Sequence, residues 1–367
     1  MTSHSLAVDG SAPTVAVDLR AVRENVRAVR ERFDGRVLGV TKAVSGDPAV
    51  AAAMLDAGVD GLADSRLLNL ARVGEDACND RETVERTLLV SPALGDLDRV
   101  VHYAERSLHT EFAVLEELAA VTRDHGLVHD VVVMVDTGDR REGVLPEDAL
   151  PFLESAVALD GVRVVGVGTN AGCFGGVLPT RESMREFVSV VETAERDLGH
   201  EFPVVSGGST VTLPLVEAGT LPGRVNELRV GEGILLGTDV SRNRTIPYLR
   251  QDAFALRAEV IECKQKPSTP AGETGHAVDG SQPAFEDRGL RERAIVSIGK
   301  QDTVPEELHP LDPGVEVLGA SSDHLVCDVT DADPPVSVGD VLEFRMGYRA
   351  LLQSFTSEYV GRDVVDS

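Results

Sequence analysis

VLGVTK (37–42) is a short apolar run that ends on a lysine. A run of this length, without the period of a helix, reads as a strand buried on both faces. Asp47-Pro48 follows, an N-cap residue with proline in the first helical turn. Strand, turn and helix make one βα unit, and the unit recurs downstream. Strand-like runs follow at 61–63, 87–90, 107–109, 131–136, 162–169, 204–206 and 227–230, with helical stretches between them. With 37–42 they make eight strands, so an α/β chain with a (β/α)8 barrel over residues 13–238 is predicted. An open doubly wound sheet is the competing arrangement, but no GxGxxG follows the first strand. The alternation begins with strand-like 14–17 and an amphipathic helix behind it.

The texture changes after Gly237. Strand-like runs at 254–263, 294–298, 315–318, 324–329 and 341–344 are separated by turns rich in Gly, Pro and Asp, with no long helical pattern. Residues 239–367 are therefore read as a separate, C-terminal mainly-β domain. Residues 268–282 read as a long loop inside it, and residues 1–12 as a flexible tail.

Composition narrows the function. The 367-residue chain carries a formal charge of -26, which argues against nucleic acid, whose phosphates need clustered Lys and Arg. No run of about 18 apolar residues exists to span a membrane, and the N-terminus lacks a secretion-signal pattern. Four scattered cysteines without a CxxC pair suit free thiols in a reducing cytoplasm. Only four lysines occur, Lys42, Lys264, Lys266 and Lys300. An acidic chain nearly stripped of lysine points to a halophilic protein, since concentrated ions screen self-repulsion.

Barrel enzymes place their chemistry at the C-terminal ends of the strands. Lys42 stands at such an end. Partial desolvation would lower its pKa and make the amine a nucleophile for a carbonyl; alternatively it is a lysine snorkelling at the rim. SGGST (206–210) offers small residues, backbone N–H groups and hydroxyls before a helical stretch, either a phosphate cradle or a plain turn. VDTGDRREG (135–143) and GVGTNAGCFGG (166–176) end two further strands. Cys173 in the latter reads as a small buried filler. Arg229 lies on the eighth strand. His324 and Cys327 are three apart on a strand-like run, on opposite faces, so no metal site is predicted.

Several blocks together resemble the alanine racemase family, and within it the ornithine racemase branch. They are LADSRLLNL (62–70), VMVDTGDRREG (133–143), VSGGST (205–210), LRVGEGILLG (228–237), IGKQDT (298–303), LGASSDHLVCDV (318–329) and FRMGYRALLQSFTSEY (344–359). The resemblance implies a pyridoxal 5′-phosphate (PLP) enzyme that interconverts L and D amino acids by proton transfer on two faces of Cα. It implies Lys42 as the Schiff-base lysine and as one base, and Arg229 facing the pyridine nitrogen. A guanidinium cannot protonate that nitrogen, which weakens the ring as an electron sink. Ser206, Gly208, Ser209 and Thr210, with Gly231 and Glu232, match the phosphate site, and Arg141 a position near the phenolic oxygen. Tyr348 matches a late tyrosine that reaches the phosphate region. Asn170 replaces a histidine beside the ring and Met134 replaces a lysine.

The tyrosine that alanine racemases use as second base has no counterpart in ETGHAVDG (273–280). Tyr348, His276 and Asp323 are the candidates in its place. A distal ammonium would find a carboxylate in Asp323, Glu286 or Asp287, so ornithine or another basic amino acid is the expected substrate and alanine the alternative. A head-to-tail homodimer is also implied. Rival readings are a metal-assisted D-threonine aldolase or D-serine dehydratase-like enzyme, and a non-catalytic PLP-binding protein.

Overall fold

The structure, a computed structural model, describes residues 13–77, 84–276, 280 and 284–366. The proposed tail at 1–12 and Cys78 lie outside them. The chain forms two compact units, Leu19–Arg250 and a second made of the N-terminal stretch to Asp18 with Gln251–Ser367. Among the described residues no helix is long and apolar enough to cross a membrane.

The first unit is a closed barrel of eight parallel strands. With Thr14–Asp18 labelled β1, the barrel strands are β2 (Arg36–Val40), β3 (Gly61–Asp64), β4 (Arg86–Leu88), β5 (Arg106–His109), β6 (His129–Met134), β7 (Val162–Gly168), β8 (Val204–Ser206) and β9 (Glu227–Val230). Pairing of β2 with β9, Leu38 opposite Arg229, closes the ring. Alternate residues of β6 serve different layers. Val132 and Met134 pack with Leu108 and Val204. Val131 and Val133 pack outward with helical Leu115, Leu118 and Phe187. The helix Pro48–Asp56 starts as its sequence predicts, with the Asp47 carboxylate accepting the Ala49 and Val50 amides at 3.0 and 3.2 Å.

The N-terminal end of the barrel holds buried charge. Arg106 and Glu227, the first residues of β5 and β9, pair at 2.8 Å with both side chains almost fully enclosed. Arg36 reaches Glu227 at 3.6 Å, and Glu85 reaches Arg106 at 2.9 Å. The Arg106 Nε–H also donates to Thr87 Oγ1 at 3.1 Å. These residues lie at the opposite end of the strands from the Lys42 turn.

The second unit is built on an antiparallel sheet. The long strand Phe254–Pro267 pairs with Leu290–Val296 and with Val341–Met346, its register shifting between Val260 and Glu262. β1 pairs antiparallel with Phe254–Pro267 and parallel with Gly361–Val365. Here the molecule departs from the expected boundaries. Residues 14–17 were assigned to the barrel, and the division was set at 238/239. Instead β1 belongs to the second sheet, and the barrel unit extends to Arg250. A five-residue strand has the same alternation whichever sheet it joins, so its pattern carries no information on its partner. Buried Asn25 explains the late boundary: its side chain donates to the carbonyls of Ile234 and Arg250, both at 2.9 Å, and accepts the Arg250 amide at 2.6 Å. A helix at Tyr348–Thr356 was also not anticipated. It is only nine residues long, with Ala350, Leu351, Ser354 and Phe355 as its buried stripe. The described part of the 268–282 loop carries no helix or strand.

Candidate active site

Lys42 follows β2 and opens a short 3-10 turn, Lys42–Val44. Its side chain is half-buried. The preceding Thr41 is fully buried and fixed twice: its amide donates to Ala63 at 3.0 Å, and its hydroxyl to Asp64 Oδ2 at 2.8 Å. Asp64, at the end of β3, also accepts the Arg66 amide at 2.9 Å and the Asn69 side chain at 3.1 Å. Burial pushes the Asp64 carboxyl above its ordinary range, and these three donors oppose the shift. Thr41, Asp64 and Asn69 therefore orient the Lys42 turn. Sequence reading missed them, although ADSR (63–66) already flags a carboxylate at a strand end.

Arg229 is buried in β9. Its Nη1 donates to the Ser206 hydroxyl and its Nη2 to the Thr169 carbonyl, the latter at 2.9 Å. Desolvation lowers its pKa to about 10, against the pull of the nearby Glu227 carboxylate, so it remains cationic at neutral pH. Ser206 thus anchors Arg229.

The segment after β8 forms a bare backbone cradle. A Cβ on Gly207 would come within 2.4 Å of Val225 Cγ1, and Gly208 has φ +105°, where side chains are strained. Ser209 is half-buried beside them, and Thr210 opens the turn Thr210–Thr212. The Thr210 hydroxyl accepts the Gly233 amide at 3.0 Å, which ties this turn to the one after β9. Gly231 packs against the end of β2, since a Cβ there would sit 3.0 Å from Val40 Cβ. The Glu232 carboxylate is turned to the Thr238 hydroxyl and the Val240 amide, both at 2.7 Å.

The loops after β6 and β7 are joined. Asp136 Oδ1 accepts the Gly138 and Arg140 amides at 2.7 and 3.2 Å. Buried Asp139 reaches across to the Phe174 and Val177 amides at 3.0 and 3.4 Å. The Thr137 and Thr169 hydroxyls meet at 2.8 Å. This bracing presents Arg141, an exposed residue that pairs with Glu142 and also contacts the Cys173 sulfur. Half-buried Asn170 donates to Cys173 Sγ at 3.1 Å. Cys173 is exposed, contrary to its reading as a buried filler, because a glycine-rich loop rather than a packed strand carries it.

Lys42, Arg229, the 206–210 cradle, Asn170 and Arg141 therefore stand on neighbouring strands at one end of the barrel, in the ring order β2, β9, β8, β7, β6. The other predicted residues belong to the second unit, in three separate elements. Tyr348 begins the helix Tyr348–Thr356, and Asp323 is exposed in the turn before Leu325–Asp328. His276 is exposed in an irregular stretch. His324 is exposed, whereas Cys327 is buried with its thiol pushed up to about 12, so the two do not share a site.

The barrel residues fit PLP. A buried cation, a cradle of small residues whose Cβ positions are blocked, and a strand-end amine supply partners for a ring nitrogen, a phosphate and an aldehyde.

Comparison with known proteins agrees with this reading. Residues 17–239 match the alanine racemase N-terminal domain family. The chain is 40% identical over 351 residues to a lysine racemase of Thermotoga maritima, covering 95% of this chain and 97% of that protein. It is 35% identical over 357 residues to an ornithine racemase of Acetoanaerobium sticklandii, covering 96% and 99%. The fold is that of the alanine racemase from Streptomyces lavendulae, with TM-score 0.77, 20% identity and 98% of each chain covered. The chain belongs to the alanine racemase family, the barrel-type amino-acid racemases that work with PLP.

Proposed function

We propose that this racemase acts on ornithine or another basic amino acid, with Lys42 as the covalent anchor and as one of its two acid–base groups. The observation that carries the substrate reading is near-full-length similarity to racemases named for ornithine and for lysine, both diamino acids. PLP, when bound, withdraws electrons from the substrate's Cα and makes its proton labile. The chain's own residues do the rest. The 206–210 cradle, with the Gly231 and Glu232 main chain, would hold the phosphate. Arg229 would face the ring nitrogen with a guanidinium that keeps its protons at neutral pH. The Lys42 amine, aimed by the Thr41–Asp64 pair, takes or returns the Cα proton on its own face. Arg141 would serve the phenolic oxygen, and Tyr348 would be the late tyrosine assigned to the phosphate.

A distal ammonium needs a carboxylate partner in a site shielded from water. Asp287 is engaged by the Gly289 amide at 3.0 Å, which favours Asp323 or Glu286 for that role. In a panel of free L-amino acids assayed by chiral chromatography, kcat/KM for ornithine and lysine is expected to exceed that for alanine by at least about tenfold. Turnover confined to alanine would contradict the assignment. The working form is proposed to be a cytoplasmic, salt-adapted, head-to-tail homodimer. The charge of -26 and the scarcity of lysine support the salt adaptation.

A further inference from the structure

We infer that Arg72, acting through a strained backbone corner at Ser45–Gly46, is a positioning residue for the Lys42 amine. Its role rests on the reading of Lys42 as covalent anchor and base.

Ser45 ends the turn that Lys42 opens, with φ 50° and ψ 35°, and Gly46 follows with φ 65°. A left-handed residue commonly closes a helical turn, and glycine is the usual choice because a Cβ there crowds the following carbonyl. Here the left-handed path starts one residue before the glycine, so a buried serine carries the strain. The corner folds the chain back on itself. The Ser45 amide returns to the Lys42 carbonyl and the Gly46 amide to the Thr41 carbonyl, both at 3.2 Å. Residues 41–46 thus form a closed backbone ring that contains Lys42.

Such a corner persists only where its surroundings over-determine it. The helix Leu67–Asp76 supplies the constraint. Leu70 and Val73 bury its apolar side. Asn69 and Arg72, three residues apart and so neighbours on one face, meet the corner. A Cβ on Gly46 would lie 2.8 Å from Asn69 Cβ and from the Asn69 carbonyl oxygen, so the helix leaves room for glycine alone. The Arg72 Nη1–H donates to the Ser45 carbonyl. The same helix reaches the other flank of the turn. Asn69 Nδ2 donates to Asp64 Oδ1 at 3.1 Å, and Asp64 Oδ2 accepts the Thr41 hydroxyl at 2.8 Å. Lys42 is therefore clamped on both sides, at Thr41 through Asp64 and at Ser45 through Arg72.

The placement of strain in the barrel unit supports a functional reason for this clamp. Among the described residues, the other non-glycine residues with positive φ are Arg140 and Asn243. Arg140 directly precedes Arg141. Two of these three strained residues therefore lie in the loops that carry Lys42 and Arg141, as expected where strain aims side chains at a site. A long, flexible amine is aimed by the backbone that carries it, and a misplacement of about 1 Å can cost about 10²-fold in rate.

The test uses the full-length holoenzyme. Arg72→Met removes the donor and keeps a good helix former. It should lower kcat about tenfold with KM within about twofold, because the amine shifts while substrate contacts stay. Hydroxylamine displaces the lysine amine from the cofactor. It should bleach the visible band at least about fivefold faster in Arg72→Met than in wild type, since the anchor is no longer held in one geometry. Arg72→Lys keeps a cationic donor and should bring both readouts back to within about threefold of wild type. The urea midpoint should hardly move, because Arg72 is exposed and the helix is held by its buried side. Ser45→Gly approaches the corner from the other end. Glycine takes the left-handed path without strain but leaves it freer to move, so bleaching should quicken at least about threefold with no fall in the urea midpoint.

Wild-type kcat and wild-type bleaching in Arg72→Met would overturn the inference. So would a fall in kcat that comes with a lower urea midpoint and unchanged bleaching, which would make Arg72 a structural residue only. A wild-type protein inert toward every amino acid, or one with its cofactor on another lysine, would defeat the reading of Lys42 itself, and the role of Arg72 with it.

Discussion

Lys42→Ala is expected to lower racemisation by at least about 10³-fold, because one change removes both a covalent anchor and a general base. The fold should survive it. Lys42 is half-buried, and its turn is held by the Thr41–Asp64 hydrogen bond and by backbone hydrogen bonds. Alanine also suits the turn, since the next residue is Ala43. The other lysines cannot substitute. Lys264 and Lys266 both pair with Glu262, at 2.6 and 2.5 Å, on the long strand of the second unit. Lys300 lies in a turn of that same unit. Chiral chromatography of the product reads the rate, and circular dichroism checks that the variant is folded. Residual activity within about tenfold of wild type would mean that the amine is neither anchor nor base.

Glu227→Ala is expected to destabilise the barrel by about 3 kcal/mol, at the lower end of the range for breaking a buried ion pair. The loss comes from what remains. Arg106 stays almost fully enclosed, and its Nη1 has no partner even in the intact protein. Glu85 continues to hold Arg106 at 2.9 Å, which is why the higher end of the range is not expected. Arg36 loses its attraction to Glu227 at 3.6 Å but keeps Glu85 at 3.0 Å. Arg229 loses a carboxylate that helps to keep its guanidinium charged. Replacing the pair together, Arg106→Met with Glu227→Leu, should cost much less than Glu227→Ala alone, since no uncompensated charge stays behind. Urea midpoints with PLP in constant excess compare the variants under one ligation state. Equal losses for the single and double variants would show that packing, not charge, dominates this end of the barrel.

Much of this molecule can be read from its sequence, and the unread parts share a cause. The barrel strands are legible because parallel strands buried on both faces are short continuous apolar runs, and VLGVTK shows where one stops. The polar strand ends at Lys42, Ser206 and Arg229 stand out against those runs. β1 was misplaced because a single strand does not declare its neighbour. Thr41, Asp64 and Asp139 act through contacts between loops that are distant in sequence, as when Asp139 reaches Phe174 and Val177. Nothing local in the chain signals such contacts. Cys173 was misjudged for the same reason: its exposure depends on the path of the loop.

The most direct check is to treat the coloured protein with borohydride, digest it and weigh the lysine-containing peptides. The peptide holding residue 42 should carry the reduced cofactor, and those holding residues 264, 266 and 300 should be unmodified. A cofactor mass found on one of those other three, or on no peptide at all, would contradict the account.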